Sequence, residues 1–413
     1  MGGGIKPAER VVDPLFAKGW VLSGKREKPI VFVSVDWCEI RNEAYERWRT
    51  VLAEAAGTDS AHVSVTSVHV HDAPVADLEA QRILEAHNAA GRICDLKFHE
   101  EAVQRVAQAV KESLKSTRRV THFGVGQAKV EKVASNRRYV LDDGTVSYGR
   151  YSANKDPLAR VAGEGTIDPW LKTFSFWDGN EPVAATHFYA VHPMSYYGGG
   201  GVSADFIGMA RARMQVENPS VLQIYVSGCS GNVTAGKYND GSLENRPVLA
   251  ERIYQAMKAS WSSSKRQKLN QFKFRRASLV LEPRSTAGFS VEELQKQLAD
   301  DSKPFRQCLA AMGLIWHKRN ATGQEIDVPL IDFGGAQLLL LPAESYVEFQ
   351  LFAQQQRPNS FVVVAGYGEC APGYIPIERA WQEHDGNLAD WCWVSPGSQR
   401  RMEHMIEIIL KKR

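Results

Sequence analysis

The chain has 413 residues, 44% of them hydrophobic, and a formal net charge of +3, so it can bury a large core and carries a nearly balanced surface. That balance excludes a nucleic-acid binder working through a broad basic face, and no apolar run approaches the ~20 residues of a membrane span. The six cysteines, Cys38, Cys94, Cys229, Cys308, Cys370 and Cys392, show no Cys-x-x-Cys spacing, which argues against a disulfide scaffold and a cysteine-zinc knuckle.

The start, Met1 to Lys6, has no apolar signal core, so the expectation is a cytoplasmic protein or one whose leader has been removed. Ile30 to Asp36 reads as a buried strand. Glu43 to Ala56 reads as a helix with Tyr45, Trp48, Val51, Leu52 and Ala55 on one face, ended by Gly57. A second strand follows from Val63, completing a β-α-β unit in which parallel pairing is expected. It runs into His69 and His71, and residues two apart in a strand project to the same side. Pro74 then stops the ladder. Phe98 to Leu114 forms a second amphipathic helix, with Val103, Val106, Ala107, Val110 and Leu114 inward.

Residues 121–188 are richer in strand and turn signals, with Asp142-Asp-Gly144 as a hairpin turn. The Ser/Lys-rich segment 262–268 reads as a surface connection. The basic stretch Lys265 to Arg276, interleaved with Phe272 and Phe274, reads as one half-exposed strand. Ser290-Val-Glu-Glu293 is a capping box opening a helix through Leu298. The chain closes on a helix whose Met402, Met405, Ile406, Ile409 and Leu410 make the inner stripe. No repeat or linker divides it. The predicted class is α/β in one domain, with sheets built largely from β-α-β units, flanked by helices, and a site at the C-terminal ends of the strands.

Polar groups recur at those ends. Ala184 to Val191 delivers His192. Ala336 to Ala343 delivers Glu344. Ser360 to Ala365 leads to Tyr374, with Tyr367 offering a similar phenol earlier. Val221 to Val226 runs into the hydroxyl-rich turn Ser227 to Thr234, where Cys229 reads as a packing residue. A packed core explains the apolar runs but not the groups that follow them. Two imidazoles, a carboxylate and a phenolate make a mixed N/O shell suited to zinc.

Taken in order, these segments resemble the N-terminal catalytic domain of the neutral (alkaline, non-lysosomal) ceramidases, zinc amidases that cleave an N-acyl amide. Val68-His69-Val-His71-Asp72-Ala-Pro74 resembles that family's His-Thr-His-Ser-Gly-Pro segment. The resemblance implies zinc binding by His69 and a role in the reaction for His71. Asn136-Arg137 resembles a pair whose arginine reaches the active site. Phe188-Tyr-Ala-Val-His192 resembles the segment of the second zinc histidine, and Ser203-Ala-Asp205 the Ser-Gly-Asp segment after it. Gly231-Asn232-Val-Thr234 resembles the Gly-Asp-Val-Ser turn of the proposed nucleophile, Leu341-Pro-Ala-Glu344 the segment of the zinc glutamate, and Tyr374-Ile-Pro-Ile377 that of the zinc tyrosine. Three departures stand out. Thr234 stands where the family has serine, Asp72 adds a charge after the second histidine, and segment 380–413 replaces the family's C-terminal immunoglobulin-like domain.

The expectation is therefore a zinc-dependent hydrolase with Zn²⁺ on His69, His192, Glu344 and Tyr374. Zinc would lower the pKa of a bound water and polarise a carbonyl. His71 would shuttle the proton. Arg137 and Tyr374 would stabilise the oxyanion, and Thr234 would position rather than attack. The substrate would be a small or amphiphilic molecule, a lipid amide in the main reading. An alternative is a metallohydrolase of a glycan, with Trp381, Trp391 and Trp393 stacking on sugar. Another is a metal-bound binding protein without catalysis. Neither a nucleic-acid partner nor a transmembrane segment is expected, and oligomeric state and compartment stay open.

Overall fold

The computed structural model describes residues 7–25, 27–89 and 93–411, so Met1 to Lys6 lie outside it. Among the described residues three sheets have three or more strands, and most of their strands follow from apolar sequence segments. In the first, Ile30–Val35 is buried along its whole length and lies parallel to Val63–Ser67 and antiparallel to Ala17–Leu22. The expected β-α-β unit is present. Its helix, Asn42–Ala56, ends at Gly57, whose φ of 68° closes the last turn with bonds to the Ala53 and Glu54 carbonyls. Helix Leu96–Ser113 packs into the same cluster through Val103, Ala107 and Val110. Leu114, expected inward, is exposed, because the α-helix ends before it and a 3₁₀ turn carries it away from the core.

The second sheet runs Leu222–Ser227, Glu181–Tyr189, Trp170–Asp178, His122–Lys129, Lys265–Lys268 in spatial order. Its first pair is parallel and the rest antiparallel. The third runs Lys273–Leu279, Ile326–Asp332, Ala336–Leu340, Phe361–Ala365, with only the last pair parallel. The basic stretch is thus two edge strands in two sheets rather than one strand. Phe272, between them in sequence, is buried, and the exposed lysines of Lys265–Lys268 guard that edge against pairing with another chain. The connection at 262–268 is correspondingly part helix end and part strand.

One apolar cluster joins all three sheets, with Phe32 from the first, Phe174, Phe188 and Ile224 from the second, and Leu338 and Val363 from the third. Helices cover the outer faces. Asp205–Glu217 and Asn245–Ser262 lie over the second sheet, and Pro304–Ala321 and Ser398–Leu410 supply the cluster over the third. The final helix buries the five residues of its predicted stripe. The Asp142–Gly144 turn joins Tyr139–Val140 to Val146–Ser147, and the Ser290 capping box forms as predicted. Cys38, Cys94, Cys229, Cys370 and Cys392 are free thiols, and no described helix is long and apolar enough to cross a membrane.

The sheets are tied to one another where their parallel strands end. Ser34 Oγ donates to the Tyr225 carbonyl at 2.7 Å, Ser227 Oγ to Val68 at 2.6 Å, and Thr66 Oγ1 to Gly366 at 2.6 Å. Gly366 N donates to the Ser227 carbonyl at 2.8 Å. A Cβ on Gly366 would stand 2.8 Å from the Gly228 carbonyl oxygen, so only glycine permits this approach. These bonds gather the loops after the strands into one place.

Candidate metal centre

Each sheet contributes one residue to that place. His69 follows Val63–Ser67 of the first sheet, His192 follows Glu181–Tyr189 of the second, and Glu344 follows Ala336–Leu340 of the third. All three are buried. The Nε2 atoms of His69 and His192 are 3.1 Å apart, and each lies 3.2 Å from Glu344 Oε2. Donors on a tetrahedral zinc with bonds of about 2.0–2.1 Å are separated by about 3.3 Å, so the triangle has the size such an ion requires.

The rings are held for this purpose from behind. His69 Nδ1 donates to the Cys38 carbonyl at 2.9 Å, and His192 Nδ1 to the Ser230 carbonyl at 2.7 Å. With the protons on Nδ1, both Nε2 lone pairs point at the carboxylate oxygen. Glu344 Oε2 is buried and accepts no hydrogen bond from either ring. Three electron-pair donors facing one another fit a cation and fit little else. Burial would raise the carboxyl of Glu344, but the two imidazoles outweigh it and hold it well below the ordinary range. Burial and the Arg137 charge push His192 down to about 4. Burial opposes a proton on His69 too, yet Cys38 and Glu344 draw it well above the usual imidazole range. The pocket is short of positive charge.

The backbone reaches this arrangement by strain. His69, Ala343 and Tyr367 have φ of 69°, 50° and 55°, in the left-handed region that side chains with a Cβ disfavour. The strand ends at Ser67, so His69 and His71 are not paired by the pleat. A turn brings their rings together, 4.9 Å apart and edge to face. A Cβ on Gly231 would stand 2.1 Å from the Glu344 carbonyl oxygen, which explains a glycine beneath that residue.

His71 has both ring nitrogens buried without a hydrogen-bond partner, with the His192 ring at 5.5 Å. Burial first, and then His69 and His192, push it well below the usual imidazole range, so the ring is neutral. Tyr374 pairs in parallel register with Glu344, which sets their side chains on one face. Its hydroxyl accepts from Arg137 Nη1 at 2.8 Å, while Arg137 Nη2 lies 3.4 Å from His192 Nε2. Tyr367, the alternative phenol, stacks on His69 with ring centres 4.2 Å apart. Its hydroxyl bonds Ser230 at 2.7 Å and stands 3.5 Å from Nδ1 of His192, on the side away from the carboxylate.

Thr234 is elsewhere. Its buried hydroxyl faces the carbonyls of Arg150 and Tyr151, both at 3.2 Å, and accepts from Gly236 N. Asp72 turns away from the metal triangle to Gly198 N at 2.8 Å and Arg246 at 3.8 Å. Asp205 accepts from Ser195 N at 3.0 Å and pairs with Arg246 at 3.2 Å. Trp391 and Trp393 are buried around the Arg41 guanidinium, 4.5 Å from the Trp393 ring, so neither offers a face to a sugar. Trp381 is half-buried and lies 4.9 Å from the Arg284 guanidinium.

Two contributors carried no signal in the sequence. Cys38 Sγ lies 3.8 Å from His69 Nδ1. Asn387 Oδ1 accepts from Arg137 Nη1 at 3.4 Å. The Asn387 amide donates to Asp385 at 2.7 Å, and the second Asp385 oxygen accepts from Tyr346 at 2.6 Å. A lone cysteine after a strand and an Asn in an irregular loop have no periodicity to read.

No protein-family model matches the chain, and no curated protein matches it by sequence. Solved structures match its fold, two of them as follows. One is a ceramidase complexed with C2, at a TM-score of 0.69 and 16% identity, covering 99% of this chain and 71% of that one. The other is the neutral ceramidase from Pseudomonas aeruginosa, at a TM-score of 0.66 and 15% identity, covering 95% of this chain and 68% of that one. The chain has the mixed α/β fold of these ceramidases.

Proposed function

From the ceramidase fold and the donor triangle within it, we propose that this chain is a zinc-dependent hydrolase that cleaves an N-acyl amide of a lipid-like substrate. The observation that carries the reading is the convergence of His69 Nε2, His192 Nε2 and Glu344 Oε2 within 3.1–3.2 Å, each ring fixed by a main-chain carbonyl. These three residues, with the Tyr374 phenol beside them, would hold the ion. Zinc bound there supplies a Lewis acid for the substrate carbonyl and lowers the pKa of water.

The chain's own residues do the rest. Neutral His71 accepts the proton of the attacking water and passes it to the departing amine nitrogen. Its two unpartnered nitrogens leave it free to do both. Arg137 stays charged, and with the Tyr374 hydroxyl it faces the oxygen on which negative charge grows. Burial keeps water from competing for that oxygen and strengthens each of these contacts. Thr234 holds the loop of Arg150 and Tyr151 and takes no part in bond making. Residues 1–413 serve as one catalytic unit in this reading, because segment 380–413 supplies Asn387 to the site.

Turnover of a panel of N-acyl substrates, with and without a chelator, tests the proposal. Amide cleavage that is lost on chelation and restored by zinc supports it. A zinc-loaded chain that binds the panel without turnover is a binding protein instead. Cleavage of glycosides in place of amides points to a carbohydrate substrate, for which buried Trp391 and Trp393 offer no stacking surface.

A further inference from the structure

A second group of donors adjoins the metal triangle. The ligand atoms of Cys38, His69 and His71 lie within 4.8 Å of one another, and all three residues are buried. His69 is already committed, with Nδ1 on the Cys38 carbonyl at 2.9 Å and Nε2 facing Glu344. That leaves the Cys38 sulfur and the His71 imidazole. His71 is 5% exposed, and neither of its nitrogens has a partner. The sulfur makes a long 3.8 Å contact with His69 Nδ1, whose proton already goes to a carbonyl oxygen.

We propose that Cys38 and His71 form a second, weaker site for a thiophilic divalent cation, and that filling it inhibits the enzyme by withdrawing His71 from proton transfer. The proposal rests on the metal centre assigned above. On binding, the Cys38 thiol releases its proton to solvent, and sulfur and imidazole nitrogen each give a lone pair to the ion. Nothing is oxidised. A thiolate with an imidazole suits zinc, cobalt or cadmium, whereas magnesium and calcium, which want oxygen donors, are excluded. Two protein ligands against the four of the first site make this the later one to fill. Activity should therefore rise with the first equivalent of zinc and fall with the second.

The test adds cobalt to protein already holding one equivalent of zinc, and reads metal content, absorption and amidase rate together. The expected result is a second equivalent, a sulfur-to-cobalt charge-transfer band and a parallel fall in rate, with no response to magnesium. Cys38→Ser, loaded with one zinc and read against its own uninhibited rate, should lose the band and move the inhibition midpoint up by on the order of tenfold or more. Cys38→Ala should behave alike and serves if the serine variant folds poorly. One equivalent and no more, a second equivalent without thiolate absorption, or inhibition unchanged in both variants overturns the proposal. Failure of the apo-protein to take up its first equivalent of zinc overturns the metal centre itself. Because content and absorption are read without substrate, absent amidase turnover counts against the proposed function alone.

Discussion

His69 and His192 present their Nε2 atoms to each other at 3.1 Å, each ring locked by an Nδ1 bond to a main-chain carbonyl. Two lone pairs at that distance repel unless a positive charge lies between them. His192→Ala and Glu344→Gln should each leave the purified chain with clearly less than one zinc. Glu344→Gln should bind at least about tenfold more weakly, since the amide keeps the shape and loses the charge. Elemental analysis after dialysis checks this. Full zinc content in both variants would remove the triangle from metal binding.

Thr234 separates a structural hydroxyl from an attacking one. Its contacts with the Arg150 and Tyr151 carbonyls predict that Thr234→Val costs about 1–2 kcal/mol of stability while keeping most of kcat at equal zinc content. Thr234→Ser should be close to wild type in both respects. Inactive, zinc-loaded Thr234→Val, together with an acyl adduct trapped on the wild type and seen by mass spectrometry, would make threonine the nucleophile.

Arg137 is aimed by Asn387, which is itself held by Asp385. Arg137→Lys keeps charge but cannot span Tyr374 and His192 with one planar fork, and should lower kcat by about 10²-fold, in line with loss of an oxyanion donor. Asn387→Ala should lower kcat with little change in KM, since it loosens the arginine without touching bound substrate. Steady-state kinetics at matched zinc decides. A change confined to KM would assign Asn387 to substrate binding.

Acid should weaken the fold through His187. Burial pushes this imidazole down to about 4, against a hydrogen bond to Gln223 that only partly offsets it. The unfolded chain takes up a proton near pH 6.5 and the folded chain does not, so stability is full above that pH and is lost as pH falls from 6.5 towards 4. The slope from this residue is at most about 1.4 kcal/mol per pH unit. His187→Gln cannot titrate, and its urea midpoint should vary less over that window. Parallel curves for the two proteins would show that His187 is not the group responsible.

Apolar runs ending in polar groups made His69, His192 and Glu344 legible, because a strand's composition and its terminating proline or turn are local properties. Helix ends at Gly57 and Ser290 were legible for the same reason. The left-handed His69 was not, since no residue type announces it. Asp72 reads as a charge beside the metal and proves to pin Gly198, a partner supplied by a distant loop. The tryptophans read as sugar platforms or as core, with burial the stronger reading for at least one, and Arg41 seated between Trp391 and Trp393 decides it for those two. Lys265 to Arg276 misled because one basic, aromatic pattern serves two edge strands as well as one.

Drawing one candidate donor from each sheet also bears on how the molecule is assembled. His69 and His192 are separated by 123 residues of chain, and Glu344 comes from further on still. Contacts of such long range form late, after the segments between them have condensed. The donor triangle therefore exists only in a chain whose three sheets have docked, and an ion bound there favours that docked state over every partly assembled one, by an amount that grows with its free concentration. Damage far from the centre, in any of the strand ends that carry the sheets together, should show itself as metal loss before it shows itself as unfolding.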